Sequence, residues 1–359
     1  MRTAGRHAKR QLDVVSLAIA SIFALLLAPL AVPSFDQPAE ASTPEVDQYL
    51  SLDGTNDYAV FGNDPNSLNS TVSDFTIEAW IFEESGTTDG GAVLASGAST
   101  TVGTGFELSI GGAADSRKVT FQPPSGGYNF LTFDQIIPQG EWVHLAVVYE
   151  AGTYDHTLFV NGVPTGTKSR EVTSFPGHQS LFVGRNYYFA ERYFQGKIDE
   201  VKVWKTDRTN QIPASMHNDA NTTDANLVHY FNFNQGSGTA TDLGSNSADL
   251  TLTDGASYQN LVVSNTVGTD TVLTFDRSYI TSQGGWTPPV DGAAWEALMV
   301  AGGGAGGVRH GGGGGAGELL YTSNISFTGA TAIQVGQGGP GRLTTDTTRG
   351  GAKGQPTIV

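Results

Sequence analysis

The chain has 359 residues, no cysteine and a formal net charge of −16 at pH 7. Without thiols it has no disulfide framework, no thiolate metal site and no cysteine nucleophile. Its negative surface repels nucleic acid and anionic membranes, so neither is an expected partner, while it suits cation binding.

In chain order, the first element reads as an export signal over residues 1–41. Arg2, Arg6, Lys9 and Arg10 precede an apolar run from Val14 to Val32, and Pro33 and a small-residue Ala39-Glu40-Ala41 site follow. Basic, apolar, then small residues is the order of a cleaved secretory signal. The expected location is therefore secreted or on the cell surface, without membrane insertion after cleavage. The apolar run is also about long enough to span a bilayer, so an uncleaved anchor is the alternative.

Beyond the signal, helical periodicity nearly vanishes. Runs of four to eight residues, period-two or wholly apolar, alternate with Gly, Asn, Asp, Ser and Pro. The first, LSLDGTNDYAVF (50–61), is broken by Asp53, Gly54, Asn56 and Asp57. A turn explains those residues. A calcium ion does too, since it takes six to eight oxygens from carboxylates, amides and carbonyls. Strand candidates follow at FTIEAWIF (75–82), AVLAS (92–96), GFELSI (105–110), KVTF (118–121), EWVHLAVVYE (141–150) and TLFVNG (157–162). The last ends in Asn161-Gly162, a hairpin signal. SLFVGR (180–185), GKIDEVKVW (196–204) and LVHYFNF (227–233) continue the series, with one short helical turn between Thr209 and His217. Regular short strands of this kind imply an antiparallel sandwich or barrel.

Between SLFVGR and GKIDEVKVW lies RNYYFAERYF, with Tyr187, Tyr188, Phe189, Tyr193 and Phe194 beside Arg185 and Arg192. Exposed rings stack on the apolar face of a sugar while arginine bonds its hydroxyls or acids. The plainer reading has some of these rings closing one end of the core, although alternation does not bury all five at once.

The linear order YLSLDGTNDYAVF, FTIEAWIF, EWVHLAVVYE with LFVNG, LFVGR and FQGKIDEVKVW resembles the laminin-G-like family of concanavalin A-like jelly rolls, over about residues 46–206. NLVHYFNFNQGSGTATDLGSNSADLTLTDGA resembles the segment that accompanies such domains in bacterial surface proteins and extends the unit to about residue 262. The resemblance implies an all-β, antiparallel two-sheet sandwich in an extracellular protein. Such proteins bind glycans or other proteins, and many hold a structural calcium ion. It also implies that the first and last strands pair, bringing Asp199 near Asp53, Asn56 and Asp57 as a shared calcium set.

The fold also supports glycoside hydrolases, whose retaining members need two carboxyl groups about 5 Å apart. The pattern of the related glucanases, E-x-D-x-x-E on one strand, is absent: Lys197 and Lys202 stand where its outer acids would be. Asp199 and Glu200 are adjacent, and Glu78 and Glu83 are oddly spaced, so each pair is expected to face opposite ways. His144 reads as a packed strand residue, while His156, His178 and His217 lie in loop-like sequence without zinc spacing. No G-x-S-x-G elbow occurs.

Composition changes at about 262–270. From Ala301 to Gly317 the chain reads AGGGAGGVRHGGGGGAG, flanked by apolar runs. The G-x-G-x-x-G match within it lacks the helix that receives a pyrophosphate. Residues 268–359 resemble a bacterial glycine-rich β domain, with Ala301 in place of a usual glycine. That pattern normally continues beyond a GGAKG-like segment, so an incomplete domain is expected here. The combined expectation is an exported, non-catalytic protein that binds a glycan or extracellular protein. A purely structural assembly module is the alternative and a hydrolase the more distant one.

Overall fold

A computed structural model of the chain describes residues 25–27, 47–64, 68, 73–85, 90–97, 104–111, 117–127, 129–173, 179–188, 192–261, 263–267, 270–275, 294–304, 315–327, 331, 333, 335–336 and 356–358. In chain order its strands are β1 (Leu25–Leu27), β2 (Gln48–Asp53), β3 (Tyr58–Asp64), β4 (Phe75–Glu83), β5 (Ala92–Gly97), β6 (Phe106–Ile110) and β7 (Lys118–Gln122). Next come β8 (Leu131–Ile136), β9 (Trp142–Glu150), β10 (Asp155–Val160), β11 (Val163–Ser169), β12 (Gln179–Val183) and β13 (Gln195–Trp204). The short helix α1 (Ile212–Ser215) precedes β14 (Leu227–Phe231), β15 (Thr251–Thr253) and β16 (Ser257–Asn260). The series closes with β17 (Val263–Val267), β18 (Asp270–Thr274), β19 (Ala294–Val300) and β20 (Leu319–Ser326).

Two antiparallel sheets make the expected sandwich, consistent with a jelly roll. An eight-stranded sheet runs β11-β10-β9-β4-β13-β2-β16, with β14 also on β13, and a seven-stranded sheet runs β15-β3-β12-β5-β6-β7-β8. Period-two alternation sends Ile77, Ile81, Leu145, Val147 and Ile198 of the first sheet into one core with Val93, Phe106, Leu108, Phe121 and Leu181 of the second. Asn161 and Gly162 take φ of +48° and +74° and close β10 onto β11 with Val160 opposite Val163, the two-residue hairpin their sequence signals. His156 is a correction to the loop reading. It lies on β10, fully buried with its ring against Tyr149 and Phe121, and burial lowers its pKa to about 4.

The eight-stranded sheet is buried on its outer face as well. The connection 205–226, which contains α1, lies across it: Met216, joined by Leu261 from just after β16, covers Trp80 and Trp142, and Ile212 covers Ala146, Val148 and Phe159. This double cover is why β4 and β9 are buried along nearly their whole length. A second correction concerns Asp199 and Glu200. Asp199 stands opposite Trp80 but Lys202 opposite Glu78, so β13 carries one extra residue, with Glu200 at φ +51°. The bulge cancels the alternation and leaves both acids on the outer side. Glu78 and Glu83 do face opposite ways. Glu83 pairs with Arg117, whereas Glu78 lies under the connection.

Glu78 is 2% exposed and ionised. Burial pushes its pKa up, but a hydrogen bond from His144 and the charges of Lys202 and Arg208 outweigh it and hold it at about 2. His144 Nε2 donates at 3.1 Å and Trp204 Nε1 at 2.7 Å, and Arg208 Nε stands 3.9 Å away.

After Leu261 the chain passes into a five-stranded sheet, β17-β18-β1-β19-β20, with its own core of Leu273, Phe275, Trp295, Ala297, Phe327, Ile333 and Val335. Leu25–Leu27, from within the expected export signal, pairs there with Thr271–Leu273. Most of the glycine run, residues 305–314, lies outside the described residues. Among the described residues no helix is long and apolar enough to cross a membrane.

Truncating a buried paired charge strands its partners, so Glu78→Ala should cost about 3–5 kcal/mol. Urea unfolding checks this. A loss below about 1 kcal/mol would show that water re-satisfies Lys202, Arg208 and the Trp204 N–H.

Candidate functional site

Two loops meet at one edge of the sandwich. The first, between β2 and β3, holds Asp53, Gly54, Asn56 and Asp57. Asp53 Oδ1 accepts hydrogen bonds from the backbone N–H of Thr55 at 2.7 Å and Asn56 at 3.4 Å, which makes an Asx turn. Asp57 Oδ2 accepts from Asp53 N at 3.1 Å, while Asp57 Oδ1 is buried with no hydrogen-bond partner. Burial raises the Asp57 pKa, and the charges of Asp53 and Asp254 raise it further. Gly54 has φ +78°, and a Cβ on it would lie 2.5 Å from Cβ of Gln195, so only glycine lets this loop touch the start of β13.

The second loop is the aromatic segment. It folds back on itself, with Arg185 bridged to Tyr193, Asn186 N donating to Arg192 O, and Phe194 N donating to Gly184 O. Arg185 Cζ lies 4.8 Å from the Tyr58 ring centre, 5.4 Å from Phe182 and 5.8 Å from Tyr193, within cation–π range of all three. Tyr58 and Tyr193 are themselves 6.2 Å apart. Both rings and Arg185 are partly exposed, Tyr188 is 38% exposed, and the Arg185 Nε has no hydrogen-bond partner. Arg192 stands over Phe130.

This cluster borders the outer face of the seven-stranded sheet. Strand register sets Val60, Phe182, Ala95, Glu107 and Gln122 in one cross-strand row on that face. The loop lies along the row: Gln122 Nε2 donates to the Tyr187 hydroxyl at 3.1 Å, and the Asn186 amide donates to Glu107. Glu107 is fully buried. Burial pushes its pKa up to about 7 against the opposing effects of Ser109, Arg192 and Asn186.

The structure therefore unites Arg185, Tyr193 and, at the margin, Tyr188 and Arg192. It corrects Tyr187, which is 3% exposed beneath the loop and so supports the platform rather than belonging to it. Phe194 is also buried, and Phe189 lies outside the described residues. Tyr58, Phe182 and Glu107 were not singled out from sequence. Tyr58 follows the acidic loop directly, and Glu107 breaks an otherwise apolar strand, but nothing local says that a loop 80 residues away covers that strand.

Asp199 is not brought to the acidic loop. β2 and β13 do pair, but in a register that sets Gln195 opposite Asp53. Asp199 lies four residues further along, about 13 Å at the usual strand rise. Its Oδ1 instead accepts from Glu200 N at 2.7 Å. Among the described residues, no three histidine, aspartate or glutamate side chains are grouped to hold a metal ion. What the loop does offer a cation is the unpartnered Asp57 Oδ1 with Asp53 and Asn56 beside it.

Residues 53–211 match a laminin-G family model described as the concanavalin A-like lectin/glucanases superfamily. No curated protein sequence matches the chain. Among solved structures, a candidate carbohydrate-binding protein from Bacteroides ovatus is 22% identical, with a TM-score of 0.46 over 60% of each chain. The chain thus spans 60% of that protein's length. A heptameric SAP-like pentraxin from Limulus polyphemus is 15% identical at TM-score 0.43, over 61% of this chain and 97% of its own. The CBM40 of a Ruminococcus gnavus sialidase is 17% identical at TM-score 0.36, over 45% of this chain and 92% of its own. At such identities these likenesses do not decide what this chain binds.

Glu107 gives a pH-dependent prediction. The folded state holds its proton up to about pH 7, well above the ordinary value of 4.5, so its contribution to stability falls as pH rises through that window. Glu107→Gln should therefore stabilise the protein at pH 8, by up to about 3 kcal/mol, and much less at pH 5. Denaturant midpoints at the two pH values test it, and a pH-independent difference would refute the buried-proton reading.

Proposed function

We propose that the sandwich is a non-catalytic glycan-binding module of an exported protein, with the sugar seated on Tyr58, Arg185 and Tyr193. One observation carries this reading: a guanidinium lies within cation–π range of three rings, and it and two of those rings, Tyr58 and Tyr193, stay partly exposed at one surface. Rings offer stacking area to the C–H face of a pyranose at low entropic cost. Arginine supplies fixed donors for a hydroxyl or, more strongly, for an acidic sugar's carboxylate. Tyr188 and Arg192 extend the surface beyond the central cluster. The match of residues 53–211 to the concanavalin A-like lectin/glucanases family supports a carbohydrate-directed reading.

Calcium belongs to the same proposal. Asp53, Asn56 and Asp57 would hold it, with backbone carbonyls and water completing the six to eight oxygens it takes. Bound there, it would neutralise the Asp57 charge and stiffen the loop on which Tyr58 is mounted. Asp199 has no part in this set.

A glycan panel tests the site. Tyr58→Ala, Tyr193→Ala and Arg185→Ala should each weaken retention about tenfold, the equivalent of 1.4 kcal/mol, with little change in melting temperature. Tyr187→Ala should instead lower the melting temperature. Retention unchanged in all three variants would leave an assembly role, and reducing-sugar release from any polysaccharide would revive a hydrolase. For calcium, the melting midpoint should rise by about 5–10 °C over chelator when the ion is near a hundred times its dissociation constant. Asp57→Asn should abolish the rise. Coincident curves for the parent protein would remove calcium from the proposal.

A further inference from the structure

The connection 205–226 does not seal the sheet beneath it. Between the connection and β13 lies an open pocket of 280 Å³, on the opposite sheet from the aromatic cluster. It is smaller than the roughly 300–1,000 Å³ of drug-sized sites, so it suits a single sugar or amino acid.

The sheet side of the pocket is largely committed. Glu78 already meets His144, Trp204 and Arg208. Lys202 Nζ is 2.8 Å from Glu200 Oε2 and donates to the Asn218 carbonyl at 2.8 Å. Arg208 stacks 3.8 Å from the centre of the Trp204 ring and donates from Nη2 to Ser215 Oγ, at 3.3 Å. The uncommitted groups are therefore specific. Asn218 Nδ2 donates to Ala214 O, which fixes the amide, and its Oδ1 is buried without a partner. Arg208 Nε is also buried without a hydrogen bond, although it faces Glu78 Oε1 at 3.9 Å. Asp219 and Asp224 complete the wall: Asp219 Oδ1 lies 3.1 Å from the Tyr230 hydroxyl, which also stands 2.9 and 3.0 Å from the two Glu200 oxygens, and Asp224 Oδ1 accepts from Asn226 N.

The charges around this space are unequal. Lys202 and Arg208 face Glu78, Glu200, Asp219 and Asp224, leaving an excess of negative charge with unspent acceptors on the wall. A polyol does not answer that imbalance; an ammonium with an oxygen beside it does. We propose that the pocket binds a small primary amine bearing an oxygen on the neighbouring carbon framework, as in a 2-amino sugar or an α-amino acid. The ammonium is held by Asn218 Oδ1 and Asp219, and the oxygen is turned to Arg208.

Asp219 adds a pH signature. It is exposed as a residue, but its Oδ1 lies 3.1 Å from the Tyr230 hydroxyl, and desolvation first, then the Glu200 charge, raises its pKa to about 6. The other groups facing it are Lys202, which opposes that rise, Tyr230 and, from the start of β2, Asp47. Amine binding should therefore weaken as pH falls below about 6, because the carboxylate loses its charge.

Calorimetric titration of the full chain with glucosamine, N-acetylglucosamine and serine tests the proposal. Saturable binding of glucosamine or serine at pH 7.5 is expected, and the tighter of the two identifies the source of the amine. N-acetylglucosamine should not compete. Asp219→Asn and Asn218→Ala should each weaken binding about tenfold, which is 1.4 kcal/mol, and affinity should fall at pH 5. Tyr193→Ala should leave amine binding unchanged, so failure of the glycan platform and failure of this pocket are distinguishable. If neither amine saturates by about 10 mM, or the acetylated sugar binds equally well, the proposal is overturned. Binding that survives both pocket variants in folded protein, as judged by an unchanged melting midpoint, overturns it too.

Discussion

A single ionised carboxylate, Glu78, organises the outer face of the eight-stranded sheet. An unpaired charge there would cost several kcal/mol, so the fold must bring compensating groups from separate elements. His144 comes from β9, Lys202 and Trp204 from β13, and Arg208 from the connection itself. With no disulfide to tie the connection down, these contacts and the apolar seats of Ile212 and Met216 do that work. Part of this network, Glu78, Lys202, Trp204 and Arg208, lines the pocket under the connection.

The seven-stranded sheet solves the same problem differently. Glu107 is as deeply buried as Glu78, yet their pKa values move in opposite directions. Glu78 receives an imidazole donor and two nearby cations. Glu107 receives an amide, a hydroxyl and the influence of one arginine, which together do not offset its desolvation. A buried carboxyl whose pKa is raised to about 7 lies beside a partly exposed aromatic surface. A group perturbed in this way beside an accessible surface is a candidate for a functional site.

The fold was legible because the strand pattern is repetitive and the turns carry their own chemistry: Asn161-Gly162 could hardly be anything but a hairpin. The site was legible only in pieces. Arg185 and Tyr193 stood out as a cluster of rings and cations, but the ring that completes them, Tyr58, comes from a segment read for its acids. Two errors share one cause. Asp199 was placed by strand pairing without register, and Asp199 with Glu200 by alternation without a bulge. Both quantities depend on which residues face each other across strands, and that is settled by long-range packing rather than by local sequence. His156 was misread because turn formers flank it, although a neutral imidazole packs against aromatic rings as readily as a phenyl group does.

The acidic and aromatic loops are separated by about 130 residues of sequence but joined in space by two contacts of different kinds. One is steric: Gly54 sits against Gln195 with no room for a side chain. The other runs through the chain, since Asp57 and Tyr58 are neighbours, the first buried with an unsatisfied oxygen and the second lying under Arg185. Asp57 is hemmed in on the side of Gly255, where an added Cβ would stand 2.7 Å from its Oδ1, so a side chain larger than glycine has no room there. On the proposed reading, a cation at Asp57 and a ligand at the aromatic cluster would occupy adjacent residues, and any coupling between the two would be reciprocal.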